Sequence, residues 1–266
     1  MKEKRAEWML SVLYVSSAIL SVTSLISLLT VWRYWAWTLD VCISVDCGCI
    51  LYGINTFRTF MGGDAKLCHF GVYGLVPAIL ISLFLGGYHG YRCCINTNLE
   101  QPSLAVYLCG LRCFFSLGRN LNSDQRTVVI RPKRRRPYKQ WVPEVFLAIL
   151  LSCLSLAHAV VMTDGYYKTC DQYRKRLIQM LDSRGPAAEV IHNRLSCGAI
   201  FDFMDYLQPD ISVSNWKRGK EIDTGFALRL AIVSTWFNFC AWILALLLNV
   251  TMAWKRLCCR HTSDTE

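Results

Sequence analysis

At 266 residues and 53% hydrophobic content, the chain makes one integral domain, residues 1–266, rather than two soluble ones. Its net charge of +10 is unevenly placed, and its apolar residues gather into four runs separated by three hydrophilic connections. That division excludes a water-soluble fold and makes lipid the main solvent.

The runs are Met9–Trp32, Gly71–Tyr91, Val142–Thr163 and Gly225–Trp254. Each reaches the ~20 residues a helix needs to cross ~30 Å of hydrocarbon at 1.5 Å per residue. The first is too long for a signal-peptide core, and Trp32, Tyr34, Trp35 and Trp37 occupy the zone where small cleavage-site residues would stand. Those aromatics read as an interfacial belt at the outer end of a retained first helix.

The connection 33–70 is balanced, three basic residues against three acids, and Asp164–Thr224 holds nine of each sign. Arg92–Trp141 holds ten Lys or Arg against Glu100 and Asp124. Basic residues near membrane ends stay cytoplasmic, so this connection faces the cytosol and, with four spans, so do both termini. Inside it, Leu104–Leu117 is apolar but too short to cross, and reads as an interfacial or re-entrant helix. The tract Arg131, Lys133, Arg134, Arg135 and Arg136 would suggest nucleic acid in a soluble protein. Beside a membrane it reads as a contact for anionic lipid headgroups, at about 1 kcal/mol per charge near the surface.

Fourteen cysteines sort by side. Cys42, Cys47, Cys49, Cys68, Cys170 and Cys197 lie outside, where an even set in an oxidising space argues for disulfides. We expect Cys49–Cys68 and Cys170–Cys197, with Cys42 and Cys47 paired together or left for an intermolecular contact. Closing a loop of such length restrains the unfolded chain by about 3 kcal/mol. Bridges from Cys49 or Cys68 to Cys170 or Cys197 remain open as the rival pattern. A metal site at Cys42, Cys47, Cys49 and His69 is set aside, because thiols on the oxidising side oxidise rather than hold zinc. Cys93, Cys94, Cys258 and Cys259 follow spans two and four on the cytosolic side, where S-palmitoylation occurs. Cys153 and Cys240, inside spans, are small apolar residues.

In the second outer loop Tyr173, Leu177, Met180 and Leu181 recur at helical spacing, Gly185-Pro186 interrupts, and Val190, Ile191 and Leu195 resume. Two short helices stapled by Cys170 and Cys197 are expected. Asn249-Val250-Thr251, the one glycosylation sequon, falls near the cytosolic end of span four and cannot be used.

Ionisable groups inside spans are functional suspects by default. Glu144 follows Pro143 and is read as complementing a helix N-terminus. His89 lies near the inner end of span two, His158 in the outer third of span three, and Arg229 opens span four and can snorkel. These groups are not expected to form a paired acid–base site. Asn238 reads as an interhelical hydrogen-bonding residue. Gly86, Gly87 and Gly90 suggest close helix contact or fraying. No phosphate loop, zinc helix or nucleophile elbow is present, so no catalytic residue, cofactor or metal site is expected.

The run Gly48-Cys49-Ile50-Leu51-Tyr52-Gly53, followed by Leu67-Cys68-His69-Phe70 entering span two, resembles the first outer loop of the transmembrane protein 179 family. Gly165, Cys170-Asp171, Ser196-Cys197 and the Trp236/Trp242 pair of the last span are similar as well. The resemblance covers all four spans and both outer loops and implies a four-span architecture; that family supplies no molecular activity to carry over. The chain departs from it in a longer Cys170–Cys197 interval, a basic and apolar insert in the cytosolic connection, and the extra Cys42 and Cys47.

The expectation is an all-α membrane protein: a four-transmembrane-helix bundle with a disulfide-bonded outer face, non-enzymatic, organising or accompanying other membrane proteins and touching anionic lipid but no nucleic acid. The rivals are a channel or transporter component and a tetraspanin- or claudin-like adhesion protein. Neither adhesion signature is present: the second loop has Ser196-Cys197-Gly198 in place of Cys-Cys-Gly, and the first lacks Trp-x-x-Gly-Leu-Trp. His261–Glu266 carry no retention signal, which favours the plasma membrane or post-Golgi membranes.

Overall fold

Four helices in the computed structural model, within Arg5–Ala36, Ala65–Cys94, Val142–Gln179 and Thr224–Trp254, are long and apolar enough to cross a membrane. The structure describes residues 3–38, 48–56, 60–94, 138–180, 185–202 and 222–263. Cys42, Cys47, the Leu104–Leu117 stretch and the Arg131–Arg136 tract lie outside the described residues.

Helix α1 runs Glu3–Thr38. A two-stranded antiparallel hairpin follows, β1 (Cys49–Asn55) against β2 (Phe60–Gly63), with Cys49 opposite Gly63 and Asn55 opposite Phe60. The register shifts between Cys49 and Ile54, where Tyr52 takes a positive φ of 59°. This bulge is what lets a short strand turn its residues onto a neighbouring helix.

The second span is α2 (Ala65–Tyr73) and α3 (Val76–Cys94). Asp64 caps α2, its carboxylate accepting from the Lys66 N–H at 3.0 Å, so the helix begins before the apolar run does. The two pieces part at Gly74–Leu75 because Pro77 has no N–H for the Tyr73 carbonyl and its ring crowds that oxygen.

The third span belongs to α4, Tyr138–Met180, 43 residues and about 64 Å long. The apolar repeat at Tyr173, Leu177 and Met180 is therefore not a separate short helix, as expected, but the continuation of span three. Exposed Asp164–Lys168 and Asp171–Lys175 pairs, at 2.8 and 2.7 Å, support the extension at i,i+4 spacing. Gly185 takes a positive φ of 63°, which suits glycine, and Pro186 opens α5 (Pro186–Arg194), ahead of α6 (Cys197–Asp202). Helix α7, Thr224–Ser263, holds the fourth span.

Contacts group the chain into two compact units, and each span contributes a segment to both. One comprises residues 1–18, 78–153 and 240–266. In it Gly86 lies against Tyr14 and Val15, where an added Cβ would meet Val15 Cγ2 at 3.1 Å. Ser11 donates to the Gly86 carbonyl at 3.0 Å, and the Ser17 and Ser82 hydroxyls meet at 3.2 Å. Helix contact through small residues and hydroxyls is how spans associate when apolar burial gains nothing over lipid. Gly90 meets Ser11 in the same way, whereas Gly87 faces open space.

The other unit comprises residues 19–77 and 154–239. Its core joins Leu28, Val31 and Trp35 of α1, Ile50 and Leu51 of β1, Phe60 of β2, Tyr166 and Tyr173 of α4, Phe201 of α6 and Leu228 of α7. Trp35 is fully buried, with its ring 6.4 Å from that of Tyr173, so it is a core residue and not part of an interfacial belt. The Phe60 and Tyr173 rings stack at 3.7 Å. Where the alternative is water, burying a side chain of this size is worth about 1.5–3 kcal/mol.

Candidate functional site

The unit of residues 19–77 and 154–239 is built around two disulfides. Cys49 at the head of β1 is bonded to Cys68 of α2, with Cα atoms 5.4 Å apart. Cys170 of α4 is bonded to Cys197 of α6, at 5.5 Å. Both are the pairings the spacing predicts; the crossed pattern between the two loops is not formed.

Thr169 of α4, fully buried, fastens the hairpin to that helix. Its hydroxyl lies 2.9 Å from the Ile50 carbonyl and 2.8 Å from the Gly165 carbonyl, and it accepts from the Gly53 N–H at 3.0 Å. Farther along, Gln172 accepts from the Asn55 N–H at 3.4 Å and Gln179 from the Asn55 side-chain amide at 2.9 Å. Tyr52 lies over Gly165, where an added Cβ would meet its ring at 2.9 Å, and the Lys168 ammonium stands 5.0 Å from the ring centroid. Loss of solvent and the adjacent Asp164 carboxylate push the Tyr52 phenol up to about 12.

Around the start of α7, Asp202 accepts from the Gly225 N–H and Asp223 from the Phe226 N–H, both at 2.7 Å. Partial desolvation raises the Asp202 carboxyl above its ordinary range and the neighbouring Asp223 adds to this, against the lowering pull of the Gly225 N–H and Arg229. Arg229 does not simply snorkel: its Nε donates to the Gly225 carbonyl at 3.0 Å, and its guanidinium fills the space over Gly198.

Asn238 makes the hydrogen bond expected of it, and His158 makes one as well. His158 Nε2 meets the Gly71 carbonyl at 2.7 Å, and Asn238 donates to Ser155 at 3.4 Å.

The other unit holds a network of polar side chains that apolar periodicity does not reveal. Glu144 was expected to complement a helix N-terminus, with no acid–base pairing. Instead α4 begins at Tyr138, ahead of Pro143, and Glu144 Oε2 lies 3.6 Å from His89 Nε2 of α3. His89 is fully buried, and the Glu144 side chain is 11% exposed. Near them Glu7 of α1, itself buried, is ion-paired with Arg92 at 3.0 Å. Tyr88 links the pairs: its hydroxyl is 3.4 Å from Arg92 Nη1 and its ring meets the His89 ring edge-on at 5.3 Å. Tyr14 stacks on His89 at 5.7 Å, and its hydroxyl accepts from the Asn249 side chain at 3.0 Å. That bond occupies the sequon asparagine, which is fully buried.

The acylation candidates separate. Cys93 is buried and Cys94 exposed, while Cys258 and Cys259 lie on the last turns of α7, where side chains are outside the described residues. Cys153 and Cys240 are exposed on their spans. Among the described residues no three His, Cys, Asp or Glu side chains come together as a metal cluster. No protein-family description, curated protein or solved structure matches the chain.

Proposed function

We propose that this four-span protein is non-enzymatic and accompanies or organises other membrane proteins, presenting its disulfide-bonded unit to them on the side opposite the cytosol. The observation that supports this reading is the β1–β2 hairpin, held to the extended α4 by Thr169 and bounded by both disulfides. A small folded surface fixed by covalent links beyond the apolar part of a span is suited to recognition, because little ordering entropy remains to be lost on binding. The basic excess of the 92–141 connection supports cytosolic termini in a plasma or post-Golgi membrane, with Arg131, Lys133, Arg134, Arg135 and Arg136 against anionic headgroups. Cys94, Cys258 and Cys259 are then placed for S-acylation. The resemblance to the transmembrane protein 179 family agrees with this architecture.

Proximity labelling in cells followed by identification of co-purifying membrane proteins tests the role. A recurrent receptor or channel, lost when Cys170 and Cys197 are both replaced by Ser, supports it. A partner set indistinguishable from that of an unrelated four-span protein overturns it. The second reading, a channel or transporter component, is favoured by the Glu7–Arg92 and His89–Glu144 pairs on the spans, each with one buried member. Ionic currents from the purified protein in liposomes would put it first.

A further inference from the structure

We propose that a groove between α1 and α7 binds an anionic phospholipid, with one acyl chain along the groove and the headgroup phosphate at the end marked by Arg5 and Lys255. Such a site presupposes the four-span reading proposed above and does not involve the 131–136 tract.

The first residues of α1 and the last of α7 belong to one packing unit. Tyr14 joins them, its hydroxyl accepting from Asn249 at 3.0 Å and its ring 5.6 Å from that of Trp242. The same two segments line an open groove of about 340 Å³, with Trp8, Met9 and Val12 on one side and Leu244, Leu248 and Thr251 on the other. That size sits at the lower end of the ~300–1,000 Å³ of small-ligand sites, room for one chain rather than a whole lipid. Thr251 donates its hydroxyl back to the Leu248 carbonyl at 2.9 Å, so it adds little polarity to the wall. Trp8, Val12 and Leu244 are exposed, and a surface of this kind calls for hydrocarbon.

The helical register decides which hydrocarbon. Arg5 precedes Trp8, Met9 and Val12 by three, four and seven residues, and Lys255 follows Thr251, Leu248 and Leu244 by four, seven and eleven. Those spacings fall on one face of a helix, so each wall of the groove ends in a basic position about one turn beyond its last apolar residue. With four spans α1 and α7 run antiparallel, which brings both basic positions to the same end. Arg5 is exposed and always charged, whereas Glu7, two residues on, turns to the other side of α1 and meets Arg92 at 3.0 Å. The rise from Leu244 to Lys255 is about 16 Å, close to the ~15 Å of hydrocarbon in one leaflet. Apolar walls of one chain's length that close on two cationic positions match an amphiphile with an anionic head. A zwitterionic lipid or a sterol offers those positions no net charge to meet.

The test is photolabelling of the full-length protein in phosphatidylcholine vesicles. A phosphatidylserine probe and a phosphatidylcholine probe carry the same photoactivatable acyl chain, and labelled peptides are mapped by mass spectrometry. A basic residue at the surface contributes a factor of about five to binding an anionic lipid, and two contribute on the order of thirty. Labelling of the stretches Trp8–Leu13 and Leu244–Thr251 should therefore favour the phosphatidylserine probe about thirtyfold. Arg5→Gln and Lys255→Gln should each reduce this preference about fivefold, the double variant should abolish it, and Arg5→Lys should keep it. Both leaflets of the vesicle hold the probe, so termini on the unexpected side, which tag accessibility detects, leave this readout unchanged. Equal labelling by the two probes overturns the proposal. So does a phosphatidylserine preference that survives the double variant, or displacement of the label by cholesterol but not by unlabelled phosphatidylserine.

Discussion

Replacing Thr169 by Val removes a hydroxyl and almost nothing else, which makes it a clean probe of how the hairpin is held to α4. The side chain is fully buried, and its oxygen is the acceptor for the equally buried Gly53 N–H at 3.0 Å and stands 2.9 Å from the Ile50 carbonyl. An isosteric methyl leaves the Gly53 donor without that acceptor, and a buried donor left unsatisfied costs about 1–3 kcal/mol. At 1.36 kcal/mol per factor of ten, local opening of β1 becomes roughly 5- to 150-fold more frequent. The Cys49–Cys68 bond still tethers the strand, so the change should be confined to the hairpin. Hydrogen exchange followed by mass spectrometry, on the peptide that contains Cys49–Asn55, reads this directly. Thr169→Ser, which keeps the hydroxyl, should exchange close to the wild-type rate. The reasoning fails if Val and Ser behave alike, or if both leave the rate within twofold of wild type.

Gly63→Ala should destabilise the same hairpin by about 1–3 kcal/mol, because its Cβ would fall on the Leu51 carbonyl oxygen, a backbone atom that cannot turn aside; the thermal midpoint of the purified protein measures it. Asp202 gives a pH dependence with a definite sign: a carboxyl raised above its ordinary 3.8 binds its proton more tightly in the folded state. Stability of that unit should then fall as pH climbs from 3.8 through the folded value, and Asp202→Asn should flatten the slope in an unfolding series. Acyl-exchange labelling should be unaffected by Cys93→Ser, whose thiol is buried, and should drop when Cys94, Cys258 and Cys259 are replaced by Ser.

The spans and the two disulfides were legible because each rests on one strong signal. An apolar run of bilayer length has few alternatives, and cysteines bracketing each outer loop had near partners of suitable separation. The rest was lost at the edges of those runs. Drawing span one from Met9 and span two to Tyr91 set Glu7 and Arg92 aside as flanking charges, although each is the other's partner inside the packed helices. Glu144 and His89 were both visible, but their meeting depends on the rotation of α3 against α4, which periodicity alone does not specify. The extension of α4 was missed because Asp164 and Gly165 read as the start of a loop. The Asp164–Lys168 and Asp171–Lys175 spacings were the signal that could have found it. The hairpin escaped because Cys49-Ile50-Leu51-Tyr52 is a short apolar run without alternation, and its bulge at Tyr52 breaks the period that marks a half-buried strand.

Tag accessibility in intact and permeabilised cells tests the four-span account most directly. Tags at either terminus and near Asp124 should be reached only after permeabilisation of the cytosolic side, and a tag beside Pro186 should be reached from the opposite face. A tag near Asp124 that is accessible from the same face as one beside Pro186 would contradict it.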